Sequence, residues 1–192
     1  MIDTTKPVDR MGNSFCGPLV VAAIIGTSTG AVADMIKHGR AAKAFAVPVG
    51  RKRRPKATVV RGTYENELFA LLEAHGARIE PIDVGSRYIR IRGARGRDTF
   101  VNATFTRWAA SFLPPVLSTD EWYPCTILER EALPLWRVAV LFDTGTYIVN
   151  TPNHWAIASD GKWCETYTKG EWVPLRNAPG RNRKVLRAWR VS

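Results

Sequence analysis

The chain is poor in the residues that staple or metallate small folds. Among 192 residues it has three cysteines, Cys16, Cys125 and Cys164, and three histidines, His38, His75 and His154. An odd number of widely spaced cysteines does not make a disulfide framework. No Cys-x-x-Cys pair and no metal-ligand spacing occurs, so neither zinc nor another cofactor is expected. Long apolar runs are missing too. The longest, Leu19 to Ile25, is far too short to span a bilayer, so no membrane partner is expected. The start, Met1 to Pro7, is polar and has no signal-peptide pattern. Together these absences predict a soluble cytoplasmic protein with free thiols. Acidic residues are also scarce, with 17 Asp and Glu against 28 Lys and Arg, for a net charge of +11. That excess favours an acidic partner: nucleic acid or an acidic protein surface.

What is present is enough for a core. Hydrophobic residues make up 45% of the chain, and its length suits one domain over 1–192. Cys16 to about Ile25 reads as a buried helix stopped by Gly26. A second helix, capped by Ser28 or Thr29, runs through Val32, Met35 and Ile36 to Gly39. A third starts at Thr63, covers Tyr64 to His75 with Leu68, Leu71 and Leu72 on one face, and ends before Gly76. Ala77 to Val84 reads as a strand, and Tyr88 to Arg92 alternates like a hairpin arm. Thr104 or Thr106 caps a short helix through Trp108 and Phe112. The last third is strand-rich: Thr146 to Asn150, His154 to Ser159, Lys162 to Tyr167, Glu171 to Val173 and Val185 to Val191. Asp160-Gly161 is a two-residue hairpin signal. The predicted class is α+β, with a helical part over about 16–113 packed on an antiparallel sheet over about 138–192.

Two basic segments stand out. Arg51, Lys52, Arg53, Arg54 and Lys56 surround Pro55; Arg90, Arg92 and Arg95 follow in an Arg- and Gly-rich stretch. Each reads equally as a solvated surface or as a phosphate-contacting patch. The tail adds Arg176, Arg181, Arg183, Lys184, Arg187 and Arg190.

Chemistry concentrates at Cys16. A helix N-terminus carries unpaired N–H groups and about half a positive charge, which favours a thiolate. Pro18 fits the first turn, where its missing N–H is harmless. A thiol nucleophile needs a base, and the base needs a group that fixes its tautomer. His38 and His75 sit at helix C-termini, where the dipole accounts for them. His154 opens a strand. With Asp160-Gly161 at the turn, Ser159 pairs with Lys162, Ala156 with Glu165 and His154 with Tyr167. His154 and Glu165 then share a face as diagonal neighbours. Cys164 points to the other face and reads as packing.

This ordered set resembles the papain-fold cysteine peptidases. It is similar to the branch that contains the bacteriocin-processing double-glycine peptidases, and to small papain-like proteins of bacteriophage genomes. The residues that carry the likeness are Cys16-Gly17-Pro18 opening a helix, Gly62-Thr63 to Leu68, Gly145 to Asn150, and the His154 strand with its Asp-Gly turn. Residues 40–60 and 85–140 have no counterpart in it. The resemblance implies a papain-like fold, with Cys16 as nucleophile, His154 as general base and acid, and Glu165 as orienting acid, where the family more often has Asp or Asn. It implies an oxyanion site made by the Cys16 N–H and an upstream amide. The family's glutamine position holds Arg10, and the nearest amide is Asn13. The implied activity is cleavage of an amide or peptide bond in a peptide or protein substrate. The implied setting is a bacterial host cytoplasm or a virion. Two alternatives stay open: an inactive papain-fold phage protein that binds nucleic acid or a virion or host protein through its basic surface, and a cell-wall amidase of similar fold.

Overall fold

The computed structural model describes residues 2–9, 11–46, 55–58, 60, 62–82, 84, 88–92, 98–102 and 132–192, with 88–92 and 98–102 described by backbone alone. Arg10, Arg51, Lys52, Arg53, Arg54, Arg95, Cys125 and the expected helix around Trp108 lie outside the described residues.

A 3-10 turn, Asn13–Phe15, leads into α1, Cys16–Ile25. Gly26 ends α1 in the left-handed region (φ 71°), where a residue without Cβ is unstrained. α2 spans Thr29–Ala41, and the Ser28 hydroxyl caps it by accepting from Ala31 N–H. Gly39 does not close α2, as the sequence suggested. It lies inside the helix because the Phe45 ring folds back on it; a Cβ there would sit 2.4 Å from that ring. α3 spans Glu65–Ala74, with Tyr64 and Glu67 forming a reciprocal cap. α4 is a single turn, Leu135–Val138, continued by a 3-10 turn through Phe142.

The strands are β1 Ile79–Ile82, β2 Tyr88–Arg92, β3 Asp98–Asn102, β4 Thr146–Thr151, β5 His154–Ser159, β6 Lys162–Cys164, β7 Val173–Pro174 and β8 Arg187–Val191. β2 and β3 pair antiparallel as a hairpin. The other six form one antiparallel sheet in the order β1-β8-β4-β5-β6-β7. The α+β class therefore holds, with one refinement: β1, from the helical half of the chain, supplies an edge of the sheet. The Asp160-Gly161 turn is present, with φ 47° and 74°, and Ser159 pairs with Lys162.

Alternation along the strands sorts side chains into two layers. Ile148, Trp155, Ile157, Cys164 and Trp189 pack with Leu19, Val20, Ile36, Leu68 and Leu72 of the three long helices. Tyr147, Val149, Ala156, Ala158 and Trp163 pack on the opposite side with Leu135, Val138, Phe142, Leu175 and Val185. The sheet is thus covered on both faces, and every residue of β5 is buried. His154 starts that strand, so its ring is fixed by a rigid element and not by a loop.

A second device fixes the helices. Arg40 of α2 and Glu67 of α3 form a buried ion pair, Nε to Oε1 at 2.7 Å and Nη2 to Oε2 at 2.8 Å. Arg40 also donates to the Gly62 and Lys56 carbonyls, and Glu67 accepts from Tyr64 N–H.

Candidate active site

Cys16 is the first residue of α1 and is buried. The neighbouring glycine has a steric reason: a Cβ on Gly17 would lie 2.5 Å from Thr63 Cβ. Thr63 in turn accepts, at its carbonyl, a 3.0 Å hydrogen bond from Trp155 Nε1–H. Cys-Gly-Pro, the start of α3 and the start of β5 are therefore locked together around the thiol.

His154 stands close enough to Cys16 for each to shift the other's titration, and His154 Nε2 lies 2.5 Å from Glu165 Oε2. The carboxylate approaches off the Nε2–H axis, so charge holds this contact more than directed hydrogen bonding does. With Nε2 turned to Glu165, Nδ1 is the nitrogen left for the thiol. Burial pushes the Cys16 thiol up, but the His154 hydrogen bond, the Trp155 N–H, the imidazolium charge and the Gly17 N–H outweigh it, and the thiol titrates below its ordinary range. Burial also works against a charged His154. Hydrogen bonds and charges from Cys16 and Glu165 overcome it and push the imidazole up to about 9. A lowered thiol beside a raised imidazole favours the thiolate–imidazolium pair, the form in which such a dyad is reactive.

Glu165 reaches His154, but not by the register expected. The β5–β6 ladder ends at Ile157 and Cys164, so neither Ala156 with Glu165 nor His154 with Tyr167 is a strand pair, and β6 stops short of Tyr167. Glu165 is one residue past the strand and still extended (φ −157°, ψ 178°), which preserves the alternation. The chain then turns through the 3-10 segment Thr166–Thr168, and Thr168 Oγ1 binds the Glu165 N–H and carbonyl. That turn leaves the Tyr167 ring 5.1 Å from the His154 ring. Glu165 itself is fully buried, and Arg183 Nη1 lies 3.0 Å from the same Oε2.

Other candidates fall elsewhere. Asn13 is exposed in the 3-10 turn before Cys16, and that turn touches the Thr166–Thr168 turn. Lys56 is exposed, and its carbonyl is held by Arg40. Arg90 and Arg92 lie on β2. Arg187 pairs with Glu65 at 2.8 Å. His38 and His75 each donate from Nδ1 to the carbonyl four residues back, at 2.9 and 2.8 Å. Cys164 packs in the core on the far side from Glu165; its thiol is pushed up to about 12 by burial and donates to the Gly170 carbonyl. Among the described residues no cluster of His, Cys, Asp or Glu could hold a metal ion, and no single helix is long and apolar enough to cross a membrane. The residue the sequence did not single out for this site is Arg183, hidden among the tail arginines.

Comparison with protein-family models, with curated proteins and with solved structures finds no match.

Proposed function

We propose that the chain is a papain-like thiol hydrolase that cleaves an amide or peptide bond with Cys16, His154 and Glu165. The observation that supports this most is His154 standing between the thiol of a helix N-terminus and a fully buried carboxylate. In the proposed reaction the Cys16 thiolate attacks the carbonyl carbon, and the helix start, with Asn13 one turn earlier, holds the oxyanion. The His154 imidazolium gives its proton to the leaving amine as the C–N bond breaks. Water then loses a proton to His154, attacks the thioester, and releases the acid and the Cys16 thiolate. The test is alkylation of Cys16 by iodoacetamide across pH, read on its own peptide by mass spectrometry. The native protein is expected to react well below the pH of an ordinary thiol. His154→Ala is expected to lower the rate at pH 6 by about a hundredfold. Ordinary-thiol reactivity, unchanged by His154→Ala, overturns the proposal.

A second reading has its own support. Arg176 and Arg181, with Asn177 and Asn182, line an open surface cavity, on a chain of net charge +11. An inactive scaffold that binds nucleic acid through this surface would bind DNA with a steep salt dependence and carry an unactivated Cys16.

A further inference from the structure

Glu165 Oε2 serves two cations. His154 Nε2 lies at 2.5 Å on one side and Arg183 Nη1 at 3.0 Å on the other. Arg183 comes from the loop between β7 and β8, outside the hairpin that carries His154 and leads into Glu165. Its guanidinium lies 4.5 Å over the Tyr167 ring, and that ring packs against His154. The carboxylate, the imidazole, the aromatic ring and the guanidinium thus close on one another.

We propose that Arg183 is a positioning residue of the thiol site, which pins the Glu165 carboxylate so that a glutamate can orient His154, and which balances the second negative charge of the reactive form. The proposal rests on the thiol-hydrolase reading above. A glutamate has one more rotatable bond than an aspartate, and a buried carboxylate held only by a histidine can swing or take up a proton. The guanidinium fixes one oxygen in place, and its stacking on Tyr167 limits its own motion. The charges also close. Thiolate and carboxylate are two anions; imidazolium and guanidinium are two cations. Among the described residues the titratable or charged groups around Glu165 are His154 of β5, Cys164 of β6, Arg183 of the C-terminal loop and Tyr167 beside them, with Cys16 of α1 beyond His154.

The sign of the consequence is fixed. Removing a cation makes every neighbouring group hold its proton more tightly. In full-length Arg183→Met, the midpoint of Cys16 alkylation and the NMR titration midpoint of His154 are both expected to move up, by about half a pH unit or more. Arg183→Lys keeps the charge, and both midpoints are expected to stay at their native values. Where the lost pin lets Glu165 swing away from His154, the Cys16 midpoint still rises while that of His154 falls towards 6.5, which reads the pinning role and not the charge-balancing one. Unmoved midpoints in Arg183→Met overturn the proposal. If Arg183→Met does not fold, a rise of both midpoints in Arg183→Lys overturns it instead. Failure of the underlying reading is separately visible, because the native Cys16 would then react as an ordinary thiol whether or not His154 is present.

Discussion

Among the described residues two glutamates are buried, each beside an arginine, and they are used in opposite ways. Glu67 is saturated: both oxygens meet Arg40, and Oε2 also accepts from Tyr64 N–H. Glu165 is shared: Oε2 lies between His154 and Arg183, while Oε1 is buried without a hydrogen-bond partner. The Glu67 carboxylate joins α2 to α3 with both of its oxygens engaged. The shared one keeps unspent acceptor capacity beside a group that changes protonation. A buried charge that is fully matched acts as scaffold; one left partly matched is available to chemistry.

The largest expected difference between the two is in stability. Glu67→Ala leaves the Arg40 guanidinium buried without its carboxylate and is expected to cost about 3–5 kcal/mol. Glu165→Ala is expected to cost about 1–3 kcal/mol, because His154 can shed its charge and half-exposed Arg183 can reach water. Urea denaturation of both variants measures this, and equal losses would erase the contrast. Next comes reactivity. Glu165→Gln removes the charge that holds the imidazolium and is expected to slow Cys16 alkylation at pH 6 by about tenfold. Glu67→Gln, in whatever fraction folds, is expected to leave that rate unchanged.

A smaller effect lies in the pH dependence of stability. His154 is raised from 6.5 to about 9, so its stabilisation is full below pH 6.5 and is lost as pH climbs through 9. Cys16 is lowered from 9.0, so its stabilisation grows with pH up to 9.0. The two oppose each other, and the thermal midpoint of the native protein is expected to fall less between pH 6.5 and 9 than the His154 rise alone would make it. Cys16→Ala removes the rising part, and its midpoint is expected to fall over that range. The smallest effect is at Cys164. Cys164→Ala is expected to leave Cys16 alkylation unchanged, because a buried thiol near 12 supplies no thiolate.

The local parts of the site were legible in the sequence. A cysteine before an apolar helical run, a histidine opening a strand and an Asp-Gly turn each depend on neighbours in the chain. Glu165 was found through an alternation that survives one residue beyond the ladder, although the ladder itself ends at Cys164. The Thr166–Thr168 turn was missed because its hydroxyl bonds compete with strand pairing. Gly39 misled because glycine marks a helix end as readily as a close ring contact. Arg183 left no periodic signal, since a loop carries it to Glu165 from 18 residues away. β1 joined the sheet only through a strand more than a hundred positions later.

That late strand has a consequence for how the protein is made. β8 lies between β1 and β4, so β1 cannot join the sheet until β8 has been made. Cys16 precedes His154, Glu165 and Arg183 by more than a hundred positions. Until those residues are made the thiol has neither its base nor its counter-charges and stays in the ordinary protonated state. The order of synthesis thus withholds the base from the proposed nucleophile until the later strands are made.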